Sequence, residues 1–173
     1  SLPEGADPTD TQTLHLQADP DLQPAEAARK ATAEALEAVQ SLLADEAKAE
    51  SRLALITQGA IAVSGEESPD PALAAAWGLI RSAQSEHPGR FALIDTDGSE
   101  ASDEALGSAL ALSAQEPQLA LREGQALLPR LVRREIEQPG RGEPPIEPER
   151  TVLITGGTGG LGALTARHLA EHH

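Results

Sequence analysis

The sequence predicts an α/β fold: a parallel, doubly wound sheet followed by the first β-α unit of a second α/β domain. Short apolar runs alternate with longer stretches of helical periodicity along the 173 residues, and a stretch rich in proline, glycine and charge sets the last unit apart. That last unit runs from an apolar segment into a glycine-rich turn and then a helix. Strands that alternate with helices belong to parallel sheets, because a helix is the usual crossover between parallel neighbours.

The elements follow in chain order. Residues 11–17 alternate polar and apolar, the pattern of a half-buried strand, and Pro20 and Pro24 end it. From Ala25 to Glu46 an apolar stripe of Ala28, Ala31, Ala35, Leu36, Val39, Leu42 and Leu43 predicts a helix whose other, acidic face is solvated. Arg52 to Thr57 reads as a buried strand and Gly59 to Pro71 as a loop. A second helix over Ala72 to Ser85 carries Trp77 and stops at His87-Pro88-Gly89, since proline disfavours helix in the residue before it. Phe91 to Asp95 is a buried strand closed by Asp97-Gly98, and Ser102 to Ser113 returns to helix. Residues 118–122 and 125–132 flank Glu123-Gly124 and read as a strand pair with a two-residue turn. These elements predict a domain over 1–135, a linker over 136–150 and a second unit over 151–173.

Composition removes several function classes. A net charge of −15 opposes binding to nucleic acid or to anionic membranes, because a basic patch is the usual footprint of both. There is no cysteine, hence no disulfide, thiolate metal site or cysteine nucleophile. No apolar run approaches the length of a membrane span, and the acidic, proline-bearing N-terminus is unlike a signal peptide, so a cytoplasmic location is expected. Methionine and tyrosine are both absent, and a chain without an initiator methionine reads as a segment of something longer.

The segment with the clearest chemistry is Thr151-Val152-Leu153-Ile154 followed by Thr155-Gly156-Gly157-Thr158-Gly159-Gly160-Leu161-Gly162. The first four residues predict a strand buried on both faces, and the residues beyond Gly162 carry apolar side chains at helical spacing. Glycines between strand and helix let the backbone turn sharply, approach a pyrophosphate closely and pack the helix against the strand. The amides that open the helix then face the phosphate. Gly157, Gly159 and Gly162 satisfy the dinucleotide spacing GxGxxG, and Thr155, Gly156, Gly160 and Gly162 resemble the TGxxxGxG fingerprint of short-chain dehydrogenases/reductases. The candidate cofactor-binding residues are thus Thr155, Gly156, Gly157, Thr158, Gly159, Gly160, Leu161 and Gly162.

A wider resemblance joins these pieces. The run from Ala76 to Phe91, with Gln118-Leu119-Ala120-Leu121-Arg122, Leu128-Pro129-Arg130-Leu131 and the glycine turn, resembles in order and spacing the ketoreductase region of modular type I polyketide synthases. That resemblance implies two halves, a truncated Rossmann-like structural subdomain and an NADPH-binding catalytic subdomain of which only the start is present. It implies NADPH as cofactor and reduction of a β-ketoacyl chain to the β-hydroxyacyl form. The partners implied are the catalytic ketoreductase subdomain, an acyl carrier protein bearing the β-ketoacyl chain, and neighbouring synthase domains. The family's catalytic Ser, Tyr and Lys have no counterpart here, and a linker as short as 136–150 leaves no room for an inserted enoylreductase. Two function classes follow: part of a reductase, or a non-catalytic module that stabilises a separate catalytic subdomain. A free-standing nucleotide-binding regulator is disfavoured by the apolar face of Leu161 to Leu169, which needs a partner sheet.

Other side chains carry less. His15, His87 and His168 share no metal-ligand spacing, and no metal site is expected. Asp95 and Asp97 end a buried strand and read as turn-forming and helix-capping residues. Ser82 and Ser85 lack the strand-turn-helix elbow of a nucleophile and read as helix polar groups.

Overall fold

A computed structural model describes residues 10–133, 146 and 151–172. The chain divides into two compact units, Ser1–Arg130 and Leu131–His173. The first holds β1 (Thr11–His15), α1 (Pro24–Ala44), β2 (Arg52–Gln58), α2 (Pro71–Glu86), β3 (Phe91–Thr96), α3 (Glu100–Leu112), β4 (Gln118–Arg122) and β5 (Gln125–Leu127), and the second holds α4 (Gly160–His172). Apart from Ile146, the expected linker 136–150 lies outside the described residues.

The strand order along the sheet is the order along the chain, β1-β2-β3-β4-β5. The first four strands run parallel and β5 returns antiparallel to β4. Register sets the faces. Leu55 lies opposite Leu93, and Ile56 opposite Ile94, so alternate residues of neighbouring strands point the same way. Leu53, Leu55, Phe91 and Leu93 form one core with α1 and α2, while Ile56, Ile94, Leu119 and Leu121 form another with Ala109 of α3. Helices therefore cover both faces of the sheet, as the uninterrupted apolar sequences of β2 and β3 require.

Local chemistry explains the element ends. Pro24 and Pro71 stand in the first turns of α1 and α2, where a missing N–H costs nothing. Asp70 caps α2 by accepting from the amides of Ala72 at 2.7 Å and Leu73 at 3.2 Å. Buried Ala27, Ala31 and Ala35 of α1 join the same core as Ala72, Ala76 and Ala83 of α2, so small side chains meet where the two helices share a sheet face. Leu36 and Leu43, expected in that stripe, are instead over a third exposed, on the flank of a face centred on Ala27, Ala31, Ala35, Val39 and Leu42. In the hairpin Glu123 and Gly124 both take positive φ, 49° and 76°, the two-residue turn that matches strand twist. The strand after it stops at Leu127, short of the expected residue 132, and Pro129 beyond it has no N–H to donate to a ladder.

The main departure from expectation lies in the second unit. Thr151–Ile154 forms no strand, and Leu153 is 89 % exposed. A parallel strand exists only through its neighbours, and among the described residues none pairs with this segment.

Candidate functional site

The glycine turn is built as its spacing predicts, even without the strand before it. Residues 155–158 form turns, and α4 begins at Gly160. Gly156 has φ +68°, a left-handed conformation that favours glycine. Its carbonyl accepts the Gly159 amide at 2.9 Å, and the Gly159 carbonyl accepts the Ala163 amide at 2.9 Å, so the turn feeds directly into the helix. A Cβ on Gly162 would stand 2.2 Å from the Gly156 carbonyl oxygen and 2.7 Å from the Gly157 Cα, both backbone atoms that cannot swing aside. The turn is thus closed tightly on itself, and the first amides of a helix such as α4 have no intrahelical carbonyl to satisfy them. Thr155, Gly156, Gly157, Thr158, Gly159, Gly160, Leu161 and Gly162 are brought together in one turn and the opening of one helix, and Leu161 is 83 % exposed.

The first unit has its own concave surface, a cleft of about 640 Å³ at the carboxyl ends of the strands. The loop after β2 leads to a helix on one face and the loop after β3 to a helix on the other, the divergence at which open α/β sheets place ligands. Glu67, Asp97 and Arg122 are among the side chains that line it. Asp95, with no solvent exposure, accepts from Thr57 Oγ1 and from the Ala60 amide, both at 2.7 Å, and its other oxygen lies 2.9 Å from Nη2 of Arg122. The indole Nε1 of Trp77 donates to Thr57 Oγ1 at 2.8 Å. Arg122 also donates to Glu67 and to the Ile61 carbonyl, both at 2.9 Å, which ties the loop between β2 and α2 to the end of β4.

Electrostatics follow from these contacts. The hydrogen bond from Arg122 holds the Glu67 carboxyl below its ordinary value. Burial works against the Arg122 charge, yet its bonds to Glu67 and Asp95 outweigh that and keep the guanidinium above its ordinary value. Asp97 is pulled far below the carboxylate range, first by the Glu123 amide at 2.6 Å, then by its serine neighbours. Among the described residues no buried side-chain polar atom lacks a partner.

Asp97 is thus the turn former the sequence predicts, accepting from the Ser99 amide and hydroxyl as well. Asp95 is not: it neither caps a helix nor forms a turn, but anchors a buried ion pair. Reading strand ends alone missed it, because its partner Arg122 stands one strand away and 27 residues on. Ser82 and Ser85 bond back to the Gly78 and Arg81 carbonyls within α2. At both helix starts flanking the cleft, Asp70 and Ser99 already take the amides a phosphate would use. The helix starts at this edge are capped from within the chain.

Residues 2–131 match the Rossmann fold domain of the polyketide synthase extender module SpnB. The chain belongs to that family. This extender-module Rossmann domain is similar to the spectinabilin polyketide synthase system protein NorA' of Streptomyces orinoci, 52% identical over 145 residues that cover 84% of the chain and 4% of that protein. It is 46% identical over 158 residues to polyketide synthase GfsA of Streptomyces halstedii, covering 91% of the chain and 2% of the relative. It is also 44% identical over 154 residues to chalcone synthase cfoA of Aspergillus candidus, covering 85% and 5%. The chain therefore spans only a few per cent of the length of each of these relatives. The family match covers the five-stranded unit and stops before the glycine turn. No described helix is long and apolar enough to cross a membrane.

Proposed function

We propose that the chain is the structural half of a polyketide synthase ketoreductase together with the first turn of its cofactor site, and that its five-stranded unit acts by supporting a separate catalytic subdomain. The carrying observation is the contrast between the two units. The cleft of the first is bordered by the Asp95–Arg122–Glu67 network and its helix starts are capped from within, while in the glycine turn a Cβ at Gly162 would meet the Gly156 carbonyl oxygen at 2.2 Å. The 52% identity to a polyketide synthase protein supports the setting.

In this reading the amides around Gly159, Gly160 and Leu161 hold the pyrophosphate of NADPH, with Gly156, Gly157 and Gly162 keeping Cβ atoms out of the way. When bound, NADPH supplies hydride to the β-carbonyl of an acyl chain carried on an acyl carrier protein. The chain contains no tyrosine, so a tyrosine proton donor comes from outside these 173 residues. Its partners are the catalytic subdomain and the neighbouring synthase domains.

Expressing a complete ketoreductase with and without the segment equivalent to residues 10–130 tests the reading. The shortened enzyme is expected to be insoluble or inactive toward a β-ketoacyl thioester and NADPH, and the 173-residue chain alone is expected to show no turnover. Full activity without the segment, or turnover by the chain alone, overturns the proposal.

A further inference from the structure

We propose that the cleft of about 640 Å³ at the carboxyl ends of the parallel strands is a small-molecule site in its own right, and that it takes a cationic amine bearing hydroxyl groups rather than a nucleotide. It lies wholly within the five-stranded unit and shares no residue with the glycine turn. The carboxyl ends of β1, β2 and β3 and the loops after them contribute Gln17, Gln58 and Asp97, and Arg122 closes the cleft from the end of β4. Open α/β sheets take their ligands where neighbouring strands send helices to opposite faces, and ligand pockets run from about 300 to 1,000 Å³. Place and size both fit.

The donors and acceptors left over select the ligand. An anion finds no donor here. Asp70 takes the amides of Ala72 and Leu73 at the start of α2, and Ser99 takes that of Ser102 in α3. Arg122 is the one cation in the lining among the described residues, and each nitrogen of its guanidinium already donates. Nε donates to Glu67, Nη1 to the Asp95 and Leu121 carbonyls, and Nη2 to Glu67, Asp95 and the Ile61 carbonyl.

Acceptors remain. Oδ1 of Asp70 takes both cap amides, and its Oδ2 accepts from no described group. Asp97 stays anionic, because the Glu123 amide and its serine neighbours hold its carboxyl far below the ordinary range. The charge of Arg122 is answered by Glu67 and by buried Asp95, so the lining keeps an excess of negative charge. The exposed amide of Gln17 is available to hydroxyls, as donor and as acceptor. Leu16 and Leu73, both buried, give the cleft an apolar floor. An ammonium group supplies the donors that these carboxylates lack, while a carbon skeleton covers the two leucines.

Titration of the ¹⁵N-labelled 173-residue chain with glucamine, sorbitol and gluconate tests this, since the three present one polyol chain bearing positive, no and negative charge. Glucamine is expected to shift the amides of Gln17, Gln58, Gly59 and Asp97 and to leave those of Glu34 and Glu37, on the acidic face of α1, in place. Sorbitol is expected to shift the same cleft amides more weakly and gluconate not at all, and added salt is expected to weaken glucamine alone. Asp70→Asn keeps a capping side chain and removes the charge, so it is expected to weaken glucamine about threefold, the scale of one partly solvated ion pair, whereas Glu37→Gln leaves it unchanged. Absence of shifts at the cleft, shifts spread equally over α1, or gluconate or sorbitol binding as tightly as glucamine overturns the proposal.

Discussion

Nη2 of Arg122 and Oδ2 of Asp95 lie 2.9 Å apart across adjacent parallel strands, and this pair fixes the carboxyl edge of the sheet. The carboxylate is fully enclosed and the guanidinium side chain is 15 % exposed. Removing one member of a buried pair leaves the other desolvated, at a cost of about 3–5 kcal/mol. Asp95→Ala is therefore expected to lower stability by about that amount, with a smaller loss for Glu67→Gln, whose carboxylate is partly solvated. Trp77, the only tryptophan, is buried beside the network and reports unfolding by fluorescence in a urea titration. A wild-type urea midpoint in Asp95→Ala would contradict the role given to the pair.

Acid sensitivity follows from Asp97. Its folded pKa is depressed, chiefly by the Glu123 amide, and that of Glu67 is depressed by Arg122. A depressed carboxylate contributes stability above its unfolded pKa of about 4, and this is lost as pH falls through the folded value. Stability is expected to be nearly level from pH 7 to about 5 and to fall below about 4. Asp97→Asn removes one contributor, so its decline with acid is expected to be shallower. Urea midpoints measured along a pH series check this, and superimposable acid limbs for variant and parent would refute it.

The glycine turn offers a graded test. A Cβ at residue 162 meets backbone at 2.2 Å, whereas one at residue 159 meets the Gly156 carbonyl at 3.3 Å. In a complete reductase, Gly162→Ala is expected to lower kcat/KM for NADPH about 10²-fold, the scale of a misplaced reactant, and Gly159→Ala to lower it less. Neither is expected to move the urea transition reported by Trp77, which belongs to the other unit. Equal effects of the two substitutions would mean that close packing of the turn is not what matters.

Both apolar cores lie between Leu14 and Leu128. A fragment ending at Arg130 keeps all of them and the whole sheet. It is expected to unfold cooperatively at the urea midpoint of the full chain. A broad transition or a clearly lower midpoint would show that residues beyond Arg130 stabilise the first unit.

Periodicity in the sequence locates the five strands and the helices between them because each apolar run answers to a sheet face that the same chain completes. Glu123-Gly124 is legible as a hairpin turn for a local reason, since two left-handed residues in sequence leave few alternatives. Glycine spacing likewise forecasts the turn at Gly156 to Gly162, whose constraint is steric and within reach of its own neighbours. What escapes is long-range. Thr151–Ile154 has strand composition but no adjoining strand, and Asp95 looks like a turn aspartate until β4 brings Arg122 alongside.

Because position in the sheet follows position in the chain, every strand laid down after β1 finds its neighbour already synthesised. Pairing never waits for a distant segment, so loop closure stays short and the docking edge advances one strand at a time. In a polypeptide as long as the relatives this chain resembles, such a sheet can consolidate on the ribosome while later strands and domains are still being made, its apolar faces covered early.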